Sequence, residues 1–144
     1  MGNHDSKFKI LEEGIETLKK RVESLRLSTT SLVQSVQSFV IDFMTFKGLF
    51  TDKERDFLVK EVDRICGIYM MKSNPLRPEE AKFIQEVMKE IREKDPKEID
   101  LSKLDKIIEI AKRWFLEDNN PDALRMMYYV YALKRILEKE RGEF

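Results

Sequence analysis

The chain has 144 residues, enough for one compact domain or for a long helix joined to a smaller domain. Its 27 basic residues balance 27 acidic ones, and no segment accumulates the positive charge that non-specific nucleic-acid binding needs. A 42% hydrophobic fraction beside 38% charge excludes a disordered composition, and only 5 Gly and 4 Pro favour long helices over turn-rich β structure.

Lys and Glu dominate the charged residues, a thermophile-like composition suited to surface ion-pair networks. Cys66 is the only cysteine, so there is neither a disulfide framework nor a cysteine metal cluster, and a reducing, cytoplasmic location is the default. No apolar run reaches the length of a membrane span, and the N-terminus lacks the apolar core of a signal peptide.

Residues 1–7 read as a flexible, polar leader that carries the only histidine, His4. Gly2 with Ser6 four residues later matches the short N-myristoylation pattern, which one acyl chain would turn into a marginal anchor only.

The strongest signal begins at Phe8. Apolar residues follow at Leu11, Ile15, Leu18, Val22, Leu25, Leu32, Val36, Phe39, Phe43 and Phe46, with Thr29 in the remaining slot. The steps alternate three and four over more than five heptads, the spacing that keeps one seam facing a partner helix. With Ile15 at position a, β-branched residues recur at a and Leu at d, the pattern of parallel two-stranded coils. The flanking positions complicate this, because Arg21 would face Arg26 of a parallel partner, whereas Asp42 and Lys47 make a favourable pair. Thr29, polar in the seam, reads as a register or oligomer selector, so that Val or Ile there should raise the melting temperature. Beyond Leu32 the stripe widens through Val33, Val40 and Ile41, which implies a second packing partner.

Thr51 and Glu54 form a capping-box signature for a second helix, with Leu58, Val62, Ile65 and Tyr69 on one face. The short linker at Gly48 predicts that this helix folds back antiparallel on the second half of the first. Residues 73–78 break the chain, and Pro78 suits the first turn of a third helix whose face is Ala81, Ile84, Val87, Met88 and Ile91. A fourth helix follows Asp100, with Leu104, Ile107, Ile108, Ala111, Trp114 and Phe115 on its apolar side. Asn120 then reads as the cap, and Pro121 as the first residue, of a fifth helix. From Met126 to Leu133 that helix carries no charge on any side.

Chemistry is sparsely provided. With His4 alone, nucleophilic triads and Glu-x-x-His di-iron sites lack their histidines, and no glycine-rich phosphate loop is present. Glu79, Glu80, Glu86, Glu90 and Glu93 alternate with Lys and Arg, which is the pattern of a solvated, salt-bridged face rather than a metal site. Cys66 reads as a small buried hydrophobe. Lys112-Arg113-Trp114-Phe115, and Arg125 with Lys134-Arg135 around the tyrosines, offer a weakly basic nucleic-acid surface, but core aromatics flanked by surface charge explain them better.

The expected fold is all-α: a long coiled-coil helix paired as a hairpin with helix two over 8–73, and a three-helix bundle over 76–144. The expected function is a non-enzymatic homo-oligomeric scaffold or adaptor without cofactor, metal or catalytic residues. Its partners would be a second copy of itself, as a dimer or dimer of dimers, and a protein docking on Met126, Met127, Tyr128, Tyr129 and Tyr131, because Met and Tyr suit interface anchors. The alternative is a nucleic-acid-associated regulator with a dimeric, weakly basic surface.

Overall fold

The computed structural model describes residues 2–71 and 77–143. Among them are five α-helices: α1 (Gly2–Phe46), α2 (Asp52–Met71), α3 (Pro78–Glu93), α4 (Ser102–Asp118) and α5 (Asp122–Glu140), with a 3₁₀ turn at Pro96–Glu98. No strand occurs among the described residues. The chain divides into two compact units, residues 1–33 and 34–144.

The helix ends follow from local chemistry. Gly48 adopts φ +71° after α1, its N–H donating to the Thr45 carbonyl while Leu49 N–H donates to that of Met44, both at 3.0 Å. This is a Schellman closure, which needs a residue that enters the left-handed region without penalty. At α2 the Thr51 N–H donates to Glu54 Oε2 at 2.8 Å, the Glu54 half of a capping box, and the Thr51 hydroxyl donates to the same oxygen. Asp100 Oδ1 accepts from the Ser102 N–H at 3.0 Å at the start of α4. Asn120 Oδ1 accepts from the Asp122 N–H at 3.1 Å across Pro121, the arrangement of an N-cap followed by proline. Of the breaker expected at 73–78, residues 73–76 lie outside the described residues, and α3 starts at Pro78.

α1 extends back through residues 2–7, the segment expected as a flexible leader; no Pro interrupts it, and a Cβ at Gly14 would meet nothing within 4 Å. In the second unit, α2 packs against α3 and α5, and α4 packs against α5. The apolar faces expected on α2, α3 and α4 are buried there, except that Phe115 is only partly covered. α2 therefore finds its closest packing with α3 and α5, not in the expected hairpin with the end of α1. The reason is the size of the face it must match. Leu58, Val59, Val62, Ile65, Cys66 and Tyr69 are all buried, whereas residues 34–46 contribute only Ile41 to the apolar core.

α5 is the centre of this unit. Met126, Met127, Val130, Ala132, Leu133, Ile136 and Leu137 are buried between α2 and α4. A third cover comes from the end of α1, where Gln37 Nε2 donates to the Leu124 carbonyl at 3.1 Å and the Tyr131 hydroxyl donates to Asp42 at 2.8 Å. At the far end of the core the Tyr69 ring stacks on Trp114 with centroids 4.1 Å apart. The Trp114 indole N–H donates to Glu80 at 3.1 Å, so the buried tryptophan has its polar edge satisfied.

Candidate self-association site

The twelve seam residues share one property: all are exposed. The eleven apolar ones range from 51% accessible at Ile15 to 79% at Phe46, and Thr29 is exposed with them. In the first unit, Phe8, Leu11, Ile15, Leu18, Val22, Leu25, Thr29 and Leu32 lie along a single helix. In the second, Val36, Phe39, Phe43 and Phe46 point away from the core that receives Ile41. Large apolar side chains grouped this way mark interaction surfaces in soluble proteins.

The charges flanking the seam sort into blocks. Glu12, Glu13 and Glu16 are followed by Lys19, Lys20 and Arg21, with Arg26 one heptad past Lys19. An ion pair joins Lys19 to Glu16 at 3.5 Å, on the surface, where such pairs contribute little. Further along, Asp42 is held by its own chain. Its Oδ1 accepts from the Tyr131 hydroxyl and from Arg135 Nε, both at 2.8 Å, and Arg135 Nη1 donates to Glu138 at 2.8 Å. Burial works against the Arg135 charge, but its bonds to Glu138, Tyr131 and Asp42 outweigh that and hold the guanidinium pKa above its ordinary value. Burial first, and Asp42 second, push the Tyr131 hydroxyl up.

The Met-Tyr run requires a correction. Met126 and Met127 are buried within the chain and offer nothing to a partner. The expectation assumed that two helices flank α5, whereas the end of α1 supplies a third cover. Tyr128, Tyr129 and Tyr131 are partly exposed; Tyr128 and Tyr129 meet edge to face with centroids 6.0 Å apart, and the Tyr131 hydroxyl is tied to Asp42.

Three of the five basic residues of the alternative reading hold close acidic partners. Arg113 pairs with Glu80, Lys134 with Asp105 at 2.7 Å, and Arg135 with Asp42 and Glu138. Between α3 and α4 lies an open depression of about 560 Å³ lined by Glu79, Glu80, Phe83, Lys106, Glu109, Ile110 and Arg113. Its charges are largely engaged: Glu80 meets Arg77, Arg113 and the Trp114 indole, and Lys106 sits 4.7 Å above the Phe83 ring. Among the described residues no three His, Cys, Asp or Glu side chains are grouped to hold a metal ion, and no helix is long and apolar enough to cross a membrane. Cys66 is buried, and desolvation, with a smaller push from Asp63, raises its thiol pKa to about 12.

Several exposed apolar residues escaped the sequence reading: Ile10 and Leu27 on α1, Leu49 after it, and Phe57, Ile68 and Met71 on α2. The α2 set had a signal, since Phe57 and Ile68 are eleven residues apart and return to nearly the same side of a helix. No protein-family model matches the chain, and no curated protein or solved structure matches it.

Proposed function

We propose that the chain is a non-enzymatic helical scaffold that self-associates through the α1 seam and presents the bundle of residues 34–144 to a protein partner. One observation carries this reading: twelve positions at heptad spacing are all exposed, while the core of the second unit closes without them. A helix with this pattern lowers its free energy by burying the seam against another such helix, and a second copy is the partner always present. The remaining partner surface narrows to Tyr128 and Tyr129, which are half-buried rings at the edge of the core. A nucleic-acid surface has less support, because Arg113, Lys134 and Arg135 would have to leave carboxylates to reach phosphates.

Light scattering coupled to size exclusion, at micromolar concentration, tests the reading. A dimer or a dimer of dimers is expected; a monomer sinks it.

A further inference from the structure

We propose that the depression between α3 and α4 receives an arginine side chain of a partner protein. The proposal rests on the reading that the bundle meets a protein partner, and it names a side chain that this partner brings.

Helical spacing builds the depression. On α4, Lys106, Glu109, Ile110 and Arg113 fall at i, i+3, i+4 and i+7, which sets them in one row. On α3, Glu79 and Glu80 stand one turn before Phe83. The two rows border about 560 Å³, within the range of roughly 300–1,000 Å³ that ligand pockets occupy. Ile110 is buried and Phe83 half-buried, whereas Glu79, Lys106, Glu109 and Arg113 are exposed, so an apolar floor lies beneath a charged rim.

Those charges are not equally free. Glu80 accepts from the Trp114 indole at 3.1 Å, pairs with Arg113 and lies 3.6 Å from Arg77, so it is fully engaged and neutralises Arg113. Among the described residues, the Glu79 and Glu109 side chains hold no ion pair or hydrogen bond. Lys106 pairs with neither; its ammonium rests 4.7 Å above the Phe83 ring, which already serves as the seat of a cation. The unengaged positions are therefore two carboxylates, one on each helix, beside an aromatic face.

A guanidinium answers all three at once. It is planar, stacks on aromatic rings and carries five donors in a fork, so it covers Phe83 while bonding carboxylates on either side. Its methylene stem meets Ile110. An ammonium is a hydrated point charge that does less on each count, and an anion would be repelled by both carboxylates. Glu79, Glu80 and Arg113 also border a second hollow of about 370 Å³ with Arg77 and Pro78, which gives room for the residues beside the arginine. Entry displaces Lys106 from the ring, and its exposed ammonium moves into water.

NMR titration of the isotope-labelled full-length chain with an acetylated, amidated Leu-Arg-Leu peptide tests this. The amide signals of Phe83 and of residues 106–113 should move. The same peptide with citrulline, which keeps the shape and loses the charge, should bind at least about five-fold more weakly. Glu79→Gln and Glu109→Gln, both at exposed positions, should each weaken the arginine peptide about three-fold. Lys106→Met keeps the stem and removes the competing charge, so it should tighten binding by about the same factor. Glu86→Gln, on α3 but outside the depression, should change nothing. Equal binding of the citrulline peptide, still signals at about 10 mM peptide, or equal weakening by Glu86→Gln overturns the site. A monomer by light scattering removes the scaffold reading without touching this titration. A silent titration leaves self-association standing, so the two failures are separable.

Discussion

Replacing Leu18 and Leu25 by Asp should convert the protein to a monomer and unwind one part of it while sparing the other. The two leucines are 60% and 67% exposed in the single chain. Fully burying a leucine contributes about 1.5–3 kcal/mol, so each has roughly 1–2 kcal/mol still to gain from a partner. A dimer buries four such side chains, and the double substitution forfeits roughly 4–8 kcal/mol, before the cost of desolvating carboxylates in an apolar seam. At about 1.4 kcal/mol per tenfold, the dissociation constant rises at least about a thousandfold. The consequence for helicity follows from packing. Residues 2–33 are about a quarter of the helical residues, and helical stability in proteins comes mostly from packing of the apolar face, which the monomer loses along the seam. The variant should lose up to about a quarter of its circular dichroism signal at 222 nm. The fluorescence of Trp114, buried in the second unit, should unfold at an unchanged urea midpoint. Retained dimerisation would refute the seam. Loss of the Trp114 transition would refute the independence of the core from these residues.

Two further outcomes are expected. Thr29→Val should raise the melting temperature of the assembled protein, because it replaces the one polar side chain of the a and d series with an apolar one of similar shape; a fall would report a specific hydrogen bond made by Thr29. The core should weaken in alkali. Burial, reinforced by the hydrogen bond to Asp118, raises Tyr69 to about 12, and burial raises Cys66 likewise. The folded chain keeps protons that the unfolded chain releases near pH 9–10, so these contributions are complete below that range and disappear as pH climbs towards 12. The urea midpoint should therefore fall between pH 9 and 11, and Tyr69→Phe should fall less steeply; parallel curves for the two proteins would contradict the assignment to Tyr69.

Much of this fold was legible because its local signals agree with one another. The capping box at Thr51, the cap at Asn120 before Pro121, and Pro78 at the head of α3 all fall where side-chain chemistry required. The apolar faces of α2, α3 and α4 were visible as 3.6-residue periodicity, and nearly every position so identified is buried. What periodicity does not encode is which faces meet. The short linker at Gly48 suggested a hairpin with α1, yet the broad face of α2 matches α3 and α5. The polar ties are also silent in the sequence, since Asp42 and Arg135 are 93 residues apart and their pairing depends on the packing already achieved. The candidate site was legible for the opposite reason: a seam that finds no partner within its chain keeps its pattern in full view.

Residues 34–46 show why a helix can serve two surfaces at once. Along this segment Val36, Phe39, Phe43 and Phe46 occupy the a and d positions and remain exposed, while Gln37, Ile41 and Thr45, at positions b, f and c, turn to the other side. Ile41 is fully buried, and the Gln37 amide and Asp42 carboxylate bond to α5. The widening of the apolar stripe after Leu32 is thus partly explained by Ile41 entering the core, and the second packing partner it implied is α5. The same docking gives the Met-Tyr run its third neighbour, and it withdraws Asp42 from any contact between copies. An apolar helix that two neighbours leave partly bare need not signal a foreign partner; here the end of α1 covers it with one side, and the exposed apolar residues lie on the other side of that helix.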